Sequence, residues 1–149
     1  MLRAYIAWHR YLLVAVLIGV MGLSAGCASG PKWDDAQRAI LEQRVRDRFD
    51  ALVARDYGKA WEYTTPSYRA IFSKQLYVKK FSYALELELT GVEIVNYDSD
   101  AAVASVVVRV MSKPTKQTST ASMLIGATPR SLGEKWLFSQ DQWWFSVNY

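Results

Sequence analysis

One thiol, one imidazole and a few carboxylates bound the chemistry open to this chain. Its 149 residues hold a single cysteine, Cys27, and a single histidine, His9. Cys27 follows Leu23-Ser24-Ala25-Gly26. Small side chains beside the thiol suit a peptidase, which must read extended backbone there. Glu86 and Glu88 are two apart, so on a strand they share a face, and paired carboxylates at that range can serve hydrolysis. Yet they alternate with Leu85, Leu87 and Leu89, whose face must meet a core, and this sends both Glu side chains to solvent. Asp56 reads as a helix cap, Asp141 as a turn residue, and Glu62 has no evident partner. No nucleophile and base are placed together. The aromatics carry more information. Trp61, Tyr63, Tyr68, Tyr97, Trp136, Trp143 and Trp144 are many for one domain, and most should be core. Trp143 and Trp144 are adjacent on a strand, so one of them should face away from the core and mark a rim or partner surface.

The segment before Cys27 orders the rest. Arg3 and Arg10 precede an apolar run from Tyr11 to Leu23, and no acid occurs before Asp34. Positive, apolar, then small residues is the order of a secretory signal. The run is shorter than the roughly 20 residues of a spanning helix. Leu23 to Cys27 resembles a bacterial lipobox, with cleavage between Gly26 and Cys27 and acylation of Cys27. Ser24 departs from the commonest Leu at its position. Two or more acyl chains anchor stably, at about 0.8 kcal/mol per buried methylene. A buried free thiol and an uncleaved anchor helix are the competing readings, and all three export the domain. Ala28 replaces the Asp that such lipoproteins use for inner-membrane retention, which implies the periplasmic face of an outer membrane.

Cleavage leaves 123 of the 149 residues, enough for one domain with a core. That part has no His, and its only Cys is the lipidation site, so no disulfide, metal site or cofactor is expected. Arg3 and Arg10 fall in the signal, leaving 16 of the 18 basic residues against 14 acidic ones, a net charge of +2. These charges are interspersed, which excludes a nucleic-acid track.

Residues 27–32 read as a lipidated Cys and tether, and 33–149 as the domain. Leu41, Val45, Phe49 and Leu52 recur at helical spacing after Asp34 and Asp35. Asp56 can cap a short helix from Tyr57 to Tyr63. Thr65-Pro66 can start another, with Pro at the first helical position. Lys74 to Phe81 is a further helical stretch. From Tyr83 the period becomes two, with Gly91 marking a bulge before Val92 to Tyr97. Ala101 to Met111 and Gln117 to Ala127 read as strands, Thr128 to Gly133 as a loop, and Lys135 to Ser139 and Trp143 to Val147 as aromatic strands. Helices first and strands after give an α+β class: a signal helix, then one long and two to three short helices on a four-stranded antiparallel sheet.

Asp56-Tyr57, Ala60-Trp61, Thr65-Pro66, Tyr68-Arg69 and the late Trp-rich hairpin resemble the nuclear transport factor 2, ketosteroid isomerase and SnoaL group across Trp33 to Tyr149. That resemblance implies a strongly curved sheet, a cone-shaped, cystatin-like roll, with a pocket between sheet and helices. Some members are enzymes and many only bind. The chain's lack of a mature His departs from the His–Asp members.

The sequence therefore predicts an exported, membrane-anchored, non-catalytic binding domain. Its ligand residues are Trp61, Tyr68, Trp136 and Trp144, and its partners an apolar small molecule, a peptide, an envelope protein or a second copy of the chain. A SnoaL-type enzyme using Tyr and a buried carboxylate, and an accessory subunit of an envelope complex, are the alternatives.

Overall fold

The computed structural model describes residues 30–81, 85–115, 120, 124 and 126–147. The expected signal helix and Cys27 lie outside these residues, as does most of the strand expected from Gln117 to Ala127.

The long helix, α1, spans Asp35–Val53. Asp34 caps it by accepting from the Gln37 N–H at 2.9 Å, which satisfies one of the free amides of the first turn. Leu41, Val45, Phe49 and Leu52 form its buried stripe, as the spacing predicts. The helix ends in a Schellman arrangement. The Asp56 N–H reaches the Ala51 carbonyl, and the Arg55 N–H reaches that of Leu52. Arg55 takes the left-handed position at φ 60°, where glycine is usual.

Three short helices follow. α2, Tyr57–Glu62, is capped by Asp56. α3, Pro66–Ile71, has Thr65 as cap and Pro66 in its first turn. α4, Lys74–Val78, is capped by Ser73. Four of the sequence's polar residues thus do the same job, offering an oxygen to a helix amide.

The strands are β1 Leu85–Asp98, β2 Val103–Pro114, β3 Thr128–Ser139 and β4 Gln142–Ser146. They form one antiparallel meander in the order β1-β2-β3-β4. Register shifts between Leu89 and Gly91, and between Ile94 and Asn96, bend β1 locally. Gly91 sits at the first of them, where the sequence places a bulge. Asp98 closes the first turn by accepting from the amides of Asp100 and Ala101, each at 3.0 Å. Gln140 and Asp141 both adopt positive φ in the two-residue β3–β4 turn.

The sheet presents one face to the helices. Ala104, Val106, Val108 and Val110 of β2 are fully buried there, flanked by Trp136 of β3 and Trp143 of β4. β4 is an edge strand, and the chain between α2 and α3 covers its free side. Thr65 donates to the Phe145 carbonyl, and Phe145 donates to that of Tyr63. This closes an edge that would otherwise offer unpaired backbone to another strand.

Two expectations need correction. Thr128 to Gly133 is strand rather than loop. It pairs with β2 from Ser112↔Thr128 to Val107↔Gly133, because β2 extends its hydrogen-bonding edge that far. Pro129 is tolerated there because β4 pairs only with the far end of β3. The sheet is also not strongly curled. Where a cone would hold its pocket, Trp136, Trp143 and Phe49 are packed at 0–1% exposure.

Candidate functional site

The four aromatics singled out from sequence go to three places. Trp136 is fully buried in the core, and its indole N–H donates to Glu134 Oε2 at 2.9 Å. Tyr68 is buried against Phe72 and Tyr77, and its hydroxyl accepts from Lys80 Nζ at 3.2 Å. It lines a cavity of about 210 Å³ together with Thr65, Ser67, Ile71, Ser146 and Val147. Trp61 and Trp144 come together in a third place, bridged by Arg69, to which the sequence assigns no role at a site.

Trp144 faces away from Trp143, as alternation on β4 requires, yet it is only 6% exposed. Two guanidiniums cover it. Arg69 of α3 lies 4.5 Å from the ring centroid, and Arg44 of α1 lies 5.4 Å from it. Arg69 also stands 5.7 Å from the ring of Trp61, and Arg44 stands 5.2 Å from that of Tyr63. The result is a ledge in which cations and rings alternate.

Backbone carbonyls hold both cations in place. Arg44 Nε donates to the Trp143 carbonyl at 2.7 Å, and Arg69 donates to the Glu62 carbonyl. Trp61 and Trp144 are fixed by their own N–H groups, on the carbonyls of Phe72 and Ser139. Neither Arg44 nor Arg69 forms an ion pair among the described residues. The nearby acids are engaged elsewhere: Glu62 with Lys74 at 2.8 Å, and Asp47 with the Gln43 amide at 2.7 Å. Burial lowers the Arg44 pKa, and the Arg69 charge adds to that, while Tyr63 and Asp47 oppose it.

A second arginine of α1 behaves differently. Arg48 is 5% exposed and pairs with Glu134 at 2.6 Å inside the fold. Its guanidinium also sits 3.6 Å from the Phe145 ring centroid. The Tyr77 hydroxyl is directed toward this cation without a hydrogen bond of good geometry. Burial raises its pKa, and the adjacent Arg48 charge only partly offsets that.

The carboxylates weighed for catalysis do not converge. Glu86 and Glu88 are exposed on β1, Asp56 caps α2, and Asp141 occupies a tight turn. Glu134, which the sequence reading passed over, is the buried one. Alternation two residues before Trp136 places it on the core face, and that signal was available. Arg48 falls in phase with Val45 and Leu52, so the buried stripe itself contains a charge. Among the described residues no cluster of His, Cys, Asp and Glu could hold a metal. No described helix is long and apolar enough to cross a membrane.

No family model matches the chain, and no curated protein matches it. Among solved structures it is similar to the solution structure of a SEC-C motif containing protein from Rhodopseudomonas palustris. The identity is 18%, the match covers 80% of this chain and 92% of that one, and the TM-score is 0.41. The resemblance to the nuclear transport factor 2, ketosteroid isomerase and SnoaL group does not hold: no family model matches, and the sheet lacks the strong curl that the resemblance implies.

Proposed function

We propose that this chain is an envelope protein anchored through acylated Cys27, whose domain binds a ligand without transforming it. The observation that carries the binding reading is the Trp144 ledge: two guanidiniums, oriented by carbonyls and lacking carboxylate partners, laid over an indole. Holding two half-buried cations side by side over a ring costs part of their hydration, and a ligand anion can take the donors that the carbonyls leave to water. The anchor reading is supported by the small residues that end at the only thiol. It places the domain on the periplasmic face, and Ala28 favours the outer membrane. The partners it admits are an apolar small molecule, a peptide or another envelope protein.

Two experiments address this. Fatty-acid labelling and fractionation of Cys27→Ala should show loss of label and release from the membrane pellet; retention of both would refute the anchor. Intrinsic fluorescence of the full chain, screened against lipids, peptidoglycan fragments and envelope peptides, should show saturable binding that Trp144→Ala abolishes. Turnover of any of these, lost on changing one carboxylate while binding persists, would convert the domain into an enzyme.

A further inference from the structure

Resting on the binding reading above, we infer that the ledge and the neighbouring cavity together dock an acidic peptide. The carboxylate of one residue lies on Arg44 and Arg69, and an apolar side chain close by seats in the cavity at Tyr68.

Three observations combine. The first is donor geometry. Arg44 has used Nε on a carbonyl and Arg69 one nitrogen on another, which leaves further N–H groups on both for a carboxylate. Guanidinium forks match that group closely, and bonds to it are about twice as strong as neutral ones. The second is charge. Glu62 and Asp47 bond Lys74 and Gln43 and form no ion pair with the two guanidiniums; Asp47 still attracts Arg44 through space, and Arg69 repels it, a repulsion that an incoming anion would relieve.

The third observation is the cavity, and it separates a peptide from a lone anion. Ser146 shares its strand face with Trp144 two residues away, and Ser67 and Tyr68 immediately precede Arg69 on α3. The cavity they line is therefore a separate recess one or two residues along both elements from the ledge, within reach of neighbouring residues of one extended peptide. At about 210 Å³ it falls below the roughly 300–1,000 Å³ of pockets that engulf a whole small molecule. It suits one side chain. Ile71 and Val147 give it apolar wall, while Thr65, Ser67 and Ser146 offer hydroxyls to a peptide backbone. Ile71 is 74% exposed, an isolated apolar residue at the mouth of the cavity.

The test uses the full chain in detergent micelles and fluorescence anisotropy of labelled hexapeptides carrying one Glu and one Leu at spacings of one to three residues. At least one spacing should bind saturably, and its Glu→Gln version should bind at least about 10-fold more weakly. Arg69→Ala and Arg44→Gln should each weaken binding by a similar factor, and added salt should weaken it further. Ile71→Glu changes only an exposed position and should repel the acidic peptide about 10-fold without loss of fold. Arg109→Gln, on β2 and paired with Glu93, should bind as wild type. Equal binding of the Glu and Gln peptides overturns the inference. So does displacement by inorganic phosphate as effective as by free peptide, or binding confined to phosphatidylglycerol vesicles. If lipids or peptidoglycan fragments bind at Trp144 while every acidic peptide fails, the binding reading stands and this inference falls. If nothing binds, both fall. Cys27→Ala should leave peptide affinity unchanged, so failure of the anchor is read separately.

Discussion

Arg44 and Arg48 lie four residues apart on α1, one turn of the same helix, and have opposite fates. Arg48 points into the domain and meets the Glu134 carboxylate, with the Phe145 ring beneath it. Arg44 points toward the edge strand and meets a carbonyl and two rings, but no carboxylate. A buried cation with an anionic partner belongs to the interior. Removing either member leaves an uncompensated charge out of water. A half-covered cation with a neutral anchor can keep its charge without such a partner, because water still reaches it. Burial alone therefore does not tell a structural arginine from a binding one; the identity of the acceptor does.

The strongest way to break this comparison is at Arg48. Arg48→Ala should destabilise the domain by about 3–5 kcal/mol in urea unfolding, since Glu134 is left buried and unpaired. The double change Arg48→Met with Glu134→Leu should recover only part of that loss, because the two charges leave together but the buried Trp136 N–H loses its acceptor on Glu134. If the single variant is as stable as wild type, the interior role assigned to Arg48 is wrong. Leu41→Ala and Phe49→Ala, in the fully buried stripe beside it, should cost about 2–5 kcal/mol by the same assay.

Tyr77 sharpens the comparison through pH. Its phenol is raised above the ordinary value of 10.0 chiefly by burial, so the folded state holds the proton more tightly than the unfolded chain. The associated stability is complete below about pH 10 and is lost as pH rises from there through the folded-state value. Tyr77→Phe should flatten the alkaline decline in denaturant midpoint. At neutral pH it should be neutral or stabilising by up to about 1 kcal/mol, because it removes a buried hydroxyl without a well-formed hydrogen bond. A steeper alkaline decline in the variant would contradict this.

At Arg44 the expected change in stability is smaller. Arg44→Gln should lower the stability measured in urea by about 1 kcal/mol, as for a half-covered arginine that loses one hydrogen bond and two contacts with rings. Its loss should be seen in binding. The smallest effects belong to β1: Glu86→Ala and Glu88→Ala should stay within about 0.5 kcal/mol of wild type, since both are exposed.

Much of the framework could be read from residue types alone. Asp56 and Thr65 cap helices as the sequence says, and Asp34 lies at the start of α1 as expected, because capping is a local exchange between one side chain and one amide. The Leu41–Leu52 stripe and the switch to period two at β1 are likewise local. What depends on distant pairing was not legible. Thr128 to Gly133 contains Pro, Gly and Ser and is exposed along its length, yet β2 makes it a strand. The absence of strong curl is a property of the whole sheet, which no stretch of sequence specifies. At the site, the Trp pair was visible as an excess of aromatics. The arginines were hidden because Arg44 and Arg69 are 25 positions apart, and each looks like ordinary surface charge until β4 brings Trp144 between them. Trp136 shows the converse. Its type suggested a rim, and its place opposite Ala104 and Phe145 made it core.

The start of the domain has one further consequence. The Gly30 N–H donates to the Ser99 carbonyl, Tyr97 donates to that of Pro31, and Trp33 stacks on Tyr97 at 4.6 Å while meeting Trp143 edge-on. A β-carbon on Gly30 would collide with the Tyr97 hydroxyl and with Ala102. The chain is thus already moored at Gly30, and only Ala28 and Ser29 separate that mooring from Cys27. At roughly 3.3–3.6 Å per extended residue, three steps give a leash of about 10 Å. With the proposed acyl chains in place, the domain is a fixture of the bilayer surface and cannot sweep the space above it. Any partner has to come down to the membrane to be met. Twenty Gly/Ser residues inserted after Ser29 would lengthen the leash by about 25 Å and convert the fixture into a float.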